Sequence, residues 1–175
     1  DLEVRVTSGT FSTGNTVGYS TGYYHDSLAV VPSPLQINNE DIFVTGNYIN
    51  SGAGNLYGAF IGRYPGTFGN SIQVDVFDST LANNFSSNTF TSGGVTRNWN
   101  TVVSSAPGTS SYVSALGGAN DEFHIVVSDA GGQFTGTKGT ILEVYPYVSK
   151  ASDATLNGVS NYYRQVIADS SKYIY

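Results

Sequence analysis

The chain contains no cysteine and no methionine among its 175 residues, and each absence carries a consequence. Without cysteine the chain has neither a disulfide framework nor thiolate chemistry. The lack of cysteine also fits assembly in a reducing cytoplasm. A translated chain begins with methionine, so a chain that starts at Asp1 and has none is expected to be a fragment or a processed product.

Charge is also scarce, at 11% of residues against roughly a quarter in a typical soluble domain. The net charge is −6, and the seven basic residues are scattered along the chain. Nucleic-acid binding draws much of its affinity from clustered Lys and Arg, so no nucleic-acid partner is expected. The longest aliphatic run, Ile125–Val127, is far too short for a bilayer span, so no membrane partner is expected either.

What the chain does contain is enough apolar material for a core. Hydrophobic residues make up 39%, with 13 Tyr and 9 Phe. Short apolar or alternating runs predict β-strands. A turn rich in Gly, Ser and Asn at residues 50–55 predicts a boundary between a β-rich N-terminal segment (1–55) and a core domain (56–175). The predicted strands are residues 2–6, 28–31, 41–45, 71–77, 122–128 and 141–148.

Two helices are predicted beside these strands. Thr109 is the expected N-cap of a short helix that ends at Gly117-Gly118. From Gly158 onward the apolar period becomes helical, with Val159, Tyr162, Tyr163, Val166 and Ile167 forming one stripe. The chain is therefore predicted to have an α/β (mixed α+β) fold.

One segment matches the nucleophile elbow of serine hydrolases, Gly18-Tyr-Ser-Thr-Gly22. Ser20, an Asp and His124 would follow the hydrolase order along the chain. The elbow requires a strand before the serine and a helix after it, but a Gly/Ser/Thr-rich loop precedes Ser20. A loop is the favoured interpretation, and no enzyme activity is predicted.

A second segment, Gly131 to Gly139, approaches the phosphate-binding loop pattern. Lys138 stands one residue late, Gly139 replaces the Ser or Thr that would hold Mg²⁺, and a strand is predicted to follow instead of a helix. Without a helix N-terminus the loop lacks its aligned N–H groups. Neither a phosphate nor any other cofactor is predicted here.

The histidines and carboxylates suggest no metal site. His25 and His124 are about a hundred residues apart, and no cysteine accompanies them. The pairs Asp75/Asp78 and Asp121/Glu122 stand at strand ends, where solvated carboxylates are ordinary. The many tyrosines are typical either of a sugar-stacking surface or of a protein interface, and both interpretations stay open.

Several blocks, taken in order, resemble contractile phage tail sheath proteins. Tyr64-Pro-Gly-Thr-Phe-Gly-Asn70 followed by an alternating strand resembles the turn-then-strand signature of that family. The block from Asp121 to Glu143, then Val148 to Ala154 and Asn161-Tyr-Tyr163, resembles the sheath protein of T4-like myoviruses. The resemblance covers residues 56–175, whereas residues 1–55 match weakly, as in a peripheral insertion. The motif residues are Tyr64, Pro65, Gly66, Gly69, Asn70, Asp121, Glu122, His124, Phe134, Thr135, Gly136, Gly139, Glu143, Ser149, Lys150, Ala151, Ser152, Asp153, Tyr162 and Tyr163.

This resemblance implies a structural virion protein without a catalytic or metal site. Its core domain would have the subtilisin-like fold of sheath proteins without a proteolytic triad, and it would continue beyond Tyr175. The implied partners are other copies of the sheath protein, the tail tube protein, and the baseplate and tail terminator proteins. Subunits would assemble in the host cytoplasm around the tube, and contraction would then drive genome ejection and host entry. The alternatives are a Tyr-rich β-domain that binds carbohydrate or a host receptor, and the hydrolase described above.

Overall fold

The computed structural model describes residues 60–64 and 66–175, and residues 18–19 and 22–23 as backbone only. The predicted strands at 2–6, 28–31 and 41–45, and the predicted boundary at 50–55, lie outside the described residues. The chain divides into two units, residues 1–36 and 37–175. In the first unit, β1 (Gly18–Tyr19) and β2 (Gly22–Tyr23) pair antiparallel.

All other described elements belong to the second unit. Its strands are β3 (Ile72–Asp78), β4 (Thr89–Ser92), β5 (Val95–Asn98), β6 (Glu122–Asp129), β7 (Thr140–Ser149), β8 (Thr155–Leu156) and β9 (Val159–Ser160). Its α-helices are α1 (Ser111–Ala115) and α2 (Tyr163–Ser170), and short 3-10 helices lie at Gly69–Ser71, Ser79–Asn84 and Trp99–Thr101.

The centre of this unit is an antiparallel sheet in the order β3-β6-β7. The predicted strands 71–77, 122–128 and 141–148 are confirmed with small shifts of their ends. The middle strand β6 is buried from Phe123 to Asp129. Because both of its faces are covered, its apolar residues Ile125, Val126 and Val127 follow one another instead of alternating with polar residues.

Each face of the sheet has its own core. On one face Ile125 and Val127 pack with Ile167 of α2 and with Ile174 near the C-terminal end. On the other face Val126 packs with an aromatic group from β3, the β4–β5 hairpin and the following 3-10 helix: Phe77, Phe90 and Trp99. The second unit therefore combines helices with antiparallel strands, and a mixed α+β fold is confirmed at that level.

Two local predictions were wrong. The helix expected from Gly158 begins at Tyr163, because Asn157-Gly158 instead forms the turn of the β8–β9 hairpin. Both turn residues have positive φ, 52° and 81°, which is the conformation that Asn-Gly favours in two-residue hairpins. Val159 consequently lies in a strand and is 68% exposed instead of joining the helical stripe.

The N-cap of α1 is Ser110 and not Thr109. The Ser110 hydroxyl accepts from the Val113 N–H at 3.2 Å, as an N-cap side chain does. The Thr109 hydroxyl accepts from the Asn120 N–H instead. The predicted end of the helix at Gly117 is confirmed, since Gly117 has φ 79° and the Gly118 N–H donates to the Val113 carbonyl.

No described helix is long and apolar enough to cross a membrane. The longest of them, α2, has eight residues, against about 20 for a bilayer span.

Candidate functional site

Three carboxylates hold distant segments of the chain against the central sheet. Asp121 directly precedes β6, Asp129 ends β6, and Glu143 lies within β7. Each accepts hydrogen bonds from at least one segment that is remote in sequence. We call these three side chains the carboxylate clamps, and all three belong to the blocks that resemble the sheath family.

Asp129 is the most completely bonded clamp, and it is fully buried. One oxygen accepts from the Ser71 hydroxyl at 2.5 Å and the Gln133 N–H at 2.9 Å. The other accepts from the Phe134 N–H at 3.0 Å and from the Thr135 N–H and hydroxyl at 2.8 and 2.9 Å. Burial raises the pKa of this carboxyl, but the bonds from Ser71 and Thr135 outweigh burial and lower the pKa to about 2.

The loop held by Asp129 is the segment that approaches a phosphate-binding pattern. It leads into β7 and not into a helix, as predicted, and Lys138 is exposed. Gly139 has φ 75°, and a Cβ there would lie 2.4 Å from the Ser92 carbonyl oxygen. Gly136 also has positive φ, at 78°. These glycines therefore allow a tight connection between β6 and β7, and this connection packs on the β4–β5 hairpin.

Asp121 binds the segment before α1 to the end of β7. It is buried and accepts from the Ser110 N–H and hydroxyl, both at 2.8 Å, and from the Ser149 hydroxyl at 2.5 Å. Burial raises the pKa of Asp121, but the bonds from Ser149 and Ser110 outweigh it, so the pKa lies below its ordinary value. The neighbouring Glu122 accepts from the Gly108 N–H at 3.0 Å.

Glu143 fixes the residues that follow α2. Its carboxylate accepts from the Ser171 hydroxyl at 2.7 Å, the Lys172 N–H at 2.8 Å and the Tyr145 hydroxyl at 2.8 Å. Burial, followed by the interaction with Glu143, raises the pKa of Tyr145 to about 12. Tyr145 therefore stays protonated and serves as a donor.

The turn at residues 64–70 contacts two segments that the clamps hold: the loop after β6, through Phe134, and the residues after α2, through Tyr173. The Asn70 N–H donates to the Gly66 carbonyl, and a Cβ on Gly69 would lie 2.1 Å from the Tyr64 carbonyl oxygen, so only glycine fits there. Pro65 lies outside the described residues. The turn contributes two rings to an aromatic cluster with 5.1 to 6.3 Å between ring centroids: Tyr64, Phe68, Phe134 and Tyr173.

The remaining motif residues lie around β7 and α2. Lys150 forms an ion pair with Asp78, and the Ala151 N–H donates to the Ser149 hydroxyl. Asp153 accepts from the Tyr112 hydroxyl at 3.2 Å, whereas Ser152 is exposed. The rings of Tyr162 and Tyr163 pack edge to face, and Tyr163 also packs on Phe123 of the core.

His124 is buried with both ring nitrogens engaged. Nδ1 accepts from the Tyr147 N–H at 3.0 Å, and Nε2 lies 2.9 Å from the Ser105 carbonyl oxygen. Neither nitrogen is free to act as a general base. Ser20 and His25 lie outside the described residues, so the structure does not place them with His124.

In the part of the chain that the structure describes, no three His, Asp or Glu side chains lie together in a way that would hold a metal ion. Asp75 and Asp78 have separate partners, since Asp75 accepts from Gln73 and Asp78 pairs with Lys150. They therefore do not form an acid–base pair.

Comparisons of this chain with protein-family models, with curated proteins and with solved structures find no match.

Chemically, the clamps are suited to holding structure. A carboxyl group that acts as a general acid at neutral pH needs a raised pKa. The pKa values of Asp121 and Asp129 are instead lowered, because their hydrogen-bond donors favour the charged carboxylate. Sequence reasoning named Asp121, Glu143 and Ser149 as motif residues. It contained Asp129 only as a member of the block from 121 to 143, and it missed the other serines that bind the clamps. The Gly-Gly after Asp129 signalled a local turn around its carboxylate. No sequence signal marked the remote donors: Ser71, Ser110 and Ser171.

Proposed function

We propose that this chain is a structural subunit of a contractile phage tail sheath. In this role it polymerises around the tail tube and contracts to drive genome delivery into the host. The finer description of the fold as a subtilisin-like sheath core belongs to the same proposal. The observation that carries it is the ordered set of sequence blocks described above, whose members meet around one sheet.

The convergence of these blocks supports the proposal. Asp129 binds Ser71 at the end of the 64–70 turn, Glu143 binds Ser171 after α2, and Asp121 binds Ser149. Segments separated by up to 58 residues are thus fixed to the same three strands. A unit cross-linked in this way can move as one body, which is what a rearrangement between two subunit packings requires.

The surface chemistry is also consistent with packing against neighbours. Large apolar side chains are exposed in several places, among them Leu116 at 69% and Leu156 at 53%. Charged residues are few. The partners in this proposal are other copies of the chain, the tube protein, and the baseplate and terminator proteins.

Electron microscopy tests this function. The chain, expressed within the whole reading frame that encodes it, should form long striated tubes that pellet on ultracentrifugation. A variant with a charge inserted in an exposed apolar position, Leu116→Asp, should shorten or abolish the tubes if that side chain meets a neighbour. Ser86→Asp is the control at an exposed polar position outside the motif residues. Failure of the unmodified protein to form any polymer would contradict the proposal.

The second candidate function is binding of a carbohydrate or host receptor. It is favoured by the exposure of Tyr64 and Phe68, at 42% and 46%, within the aromatic cluster. Saturable binding on a glycan array that is lost in Tyr64→Ala would support it. A polymer-forming protein without glycan binding would exclude the carbohydrate, and one that also fails to bind host cells would exclude the receptor.

A further inference from the structure

The packing of His124 in the sheet depends on its protonation state. Nδ1 faces the Tyr147 N–H, which can only donate, and Nε2 faces the Ser105 carbonyl, which can only accept. The hydrogen-bond network therefore assigns the neutral tautomer with its proton on Nε2. A proton added to Nδ1 would place two N–H donors against each other.

The β7 backbone opposite His124 is irregular, and it leaves the Tyr147 N–H with the imidazole as its hydrogen-bond acceptor. The β6–β7 register shifts between Phe123 and Ile125, which pair with Val148 and Tyr145. Two residues, Pro146 and Tyr147, thus stand opposite His124 as a β-bulge. Tyr147 has φ 55°, and its N–H donates to the imidazole instead of to a strand carbonyl.

His124 and Tyr147 together hold a surface segment. Nε2 of His124 donates to the Ser105 carbonyl, and the Tyr147 hydroxyl lies 2.6 Å from the Ser105 hydroxyl and 3.1 Å from that of Ser104. The Ser105 N–H also donates to the Tyr147 hydroxyl, at 3.2 Å. Both serines are exposed, but Val103 before them and Pro107 after them are buried, so the part that can separate without moving a core side chain is confined to the residues between these two.

Within residues 60–64 and 66–175, no carboxylate forms an ion pair with His124. The ring packs on Tyr147, Phe77 and Phe85, with centroids 4.6, 6.5 and 6.2 Å away. The carboxylates on the packed strands have other partners: Asp75 with Gln73, Asp78 with Lys150, Glu122 with Gly108, and Glu143 with Ser171 and Lys172. Burial lowers the pKa of His124, and the bond to Ser105 only partly offsets this effect.

We propose that His124 is a proton-sensitive latch. Its neutral imidazole holds the segment around Ser104 and Ser105, together with the Tyr147 bulge, to the sheet. Protonation breaks the bond from the Tyr147 N–H and lets the ring, the bulge and the segment separate. The ion pair and the carboxylate clamps of the same unit do not involve His124, so the opening is local.

Hydrogen exchange at neutral and mildly acidic pH, corrected for intrinsic rates, tests the latch. The Tyr147 and Ser105 amides should lose protection as the pH falls below about 6.5, the ordinary pKa of an imidazole, because the opened state binds a proton that the closed state resists. The loss should be at most about tenfold for each pH unit and should level off below the lowered pKa of the closed His124, as a one-proton linkage requires. Amides in the middle of β6 should stay protected. Unchanged protection of Tyr147 and Ser105 across this range would overturn the proposal.

Two variants assign the effect to this histidine. His124→Gln keeps a donor and an acceptor on one planar group and does not titrate, so the pH response should disappear. His25→Gln removes the other histidine of the chain and should leave the response intact. A pH response that persists in His124→Gln and disappears in His25→Gln would overturn the proposal.

The unmodified protein provides a test that does not depend on how the variants fold. Nitrogen-15 NMR of histidine-labelled protein should show His124 as the Nε2-protonated tautomer at neutral pH. Protonation of His124 should be accompanied by loss of Tyr147 protection. Finding the Nδ1-protonated tautomer, or a titration without opening, would overturn the proposal.

Discussion

Replacing Asp129 with asparagine tests whether the carboxylate clamps stabilise the fold. Asparagine keeps the size of the side chain but has one acceptor oxygen and one NH₂ group. One amide orientation turns the NH₂ toward the donors from Ser71 and Gln133, and the other turns it toward those from Phe134 and Thr135. In both orientations at least one backbone N–H in this buried site loses its acceptor.

The magnitude can be worked out in two ways. A pKa of about 2 in place of 3.8 corresponds to roughly 2 kcal/mol of preference for the charged carboxylate at neutral pH. An unsatisfied buried donor costs about 1–3 kcal/mol. Since the two figures describe overlapping interactions, Asp129→Asn should lower the free energy of unfolding by roughly 2–4 kcal/mol.

Urea denaturation followed by tryptophan fluorescence measures this loss, because Trp99 is the single tryptophan and is 2% exposed. Asp153→Asn is the matched control. Asp153 is exposed and accepts a hydrogen bond from Tyr112, so its change should stay within about 0.5 kcal/mol. A loss below about 1 kcal/mol for Asp129→Asn would refute the reasoning, because a buried carboxylate with this many donors could not then be a clamp.

Three further results are expected. Glu143→Gln should lower the free energy of unfolding by about 1–2 kcal/mol and speed proteolysis after α2, because Gln turns an NH₂ group toward the donor of Ser171 or Lys172. Unchanged cleavage kinetics would contradict this. Ile125→Ala should destabilise by about 2–5 kcal/mol in urea, since it leaves a cavity in the middle strand where Ile125 is 0% exposed, and an unchanged midpoint would argue against that packing. The folded-state pKa of Asp129 is about 2, below the ordinary 3.8, so the stabilisation by its carboxylate is present above pH 3.8 and is lost as the pH falls toward about 2. In acid titrations, the free energies of unfolding of the unmodified protein and of Asp129→Asn should therefore converge near pH 2.

The sheet was predictable because its signal is local. Alternation in β3 and the apolar run in β6 gave strands at the observed positions within one or two residues. The end of α1 was predictable for the same reason, since Gly117 is a C-terminal signal within the segment itself.

The errors arose where two local signals competed. Val159 fitted the helical stripe of α2, but Asn157-Gly158 directly before it is a strong hairpin turn, and the turn prevailed. Thr109 and Ser110 are both good N-cap residues. Which one caps α1 depends on Asp121, eleven residues away from Ser110, which orients Ser110 toward the helix.

Asp121 and Glu143 could be predicted only as motif residues, and Asp129 only as a member of the block between them. Their partners Ser71 and Ser171 are 58 and 28 residues from Asp129 and Glu143, and no periodicity links a serine to a distant carboxylate. The bulge at Tyr147 was likewise hidden, although Pro146 within a predicted strand marks a place where the ladder lacks a donor.

The central proposal is that this chain is a subunit of a contractile tail sheath, and immunogold electron microscopy of particles of a phage whose genome encodes it tests this proposal most directly. An antibody raised against residues 60–175 should decorate the tail along its whole length, and the labelled length should shorten when the tail contracts. Gold confined to the fibres, the capsid or the tail tip, or absent from particles altogether, would contradict the proposal.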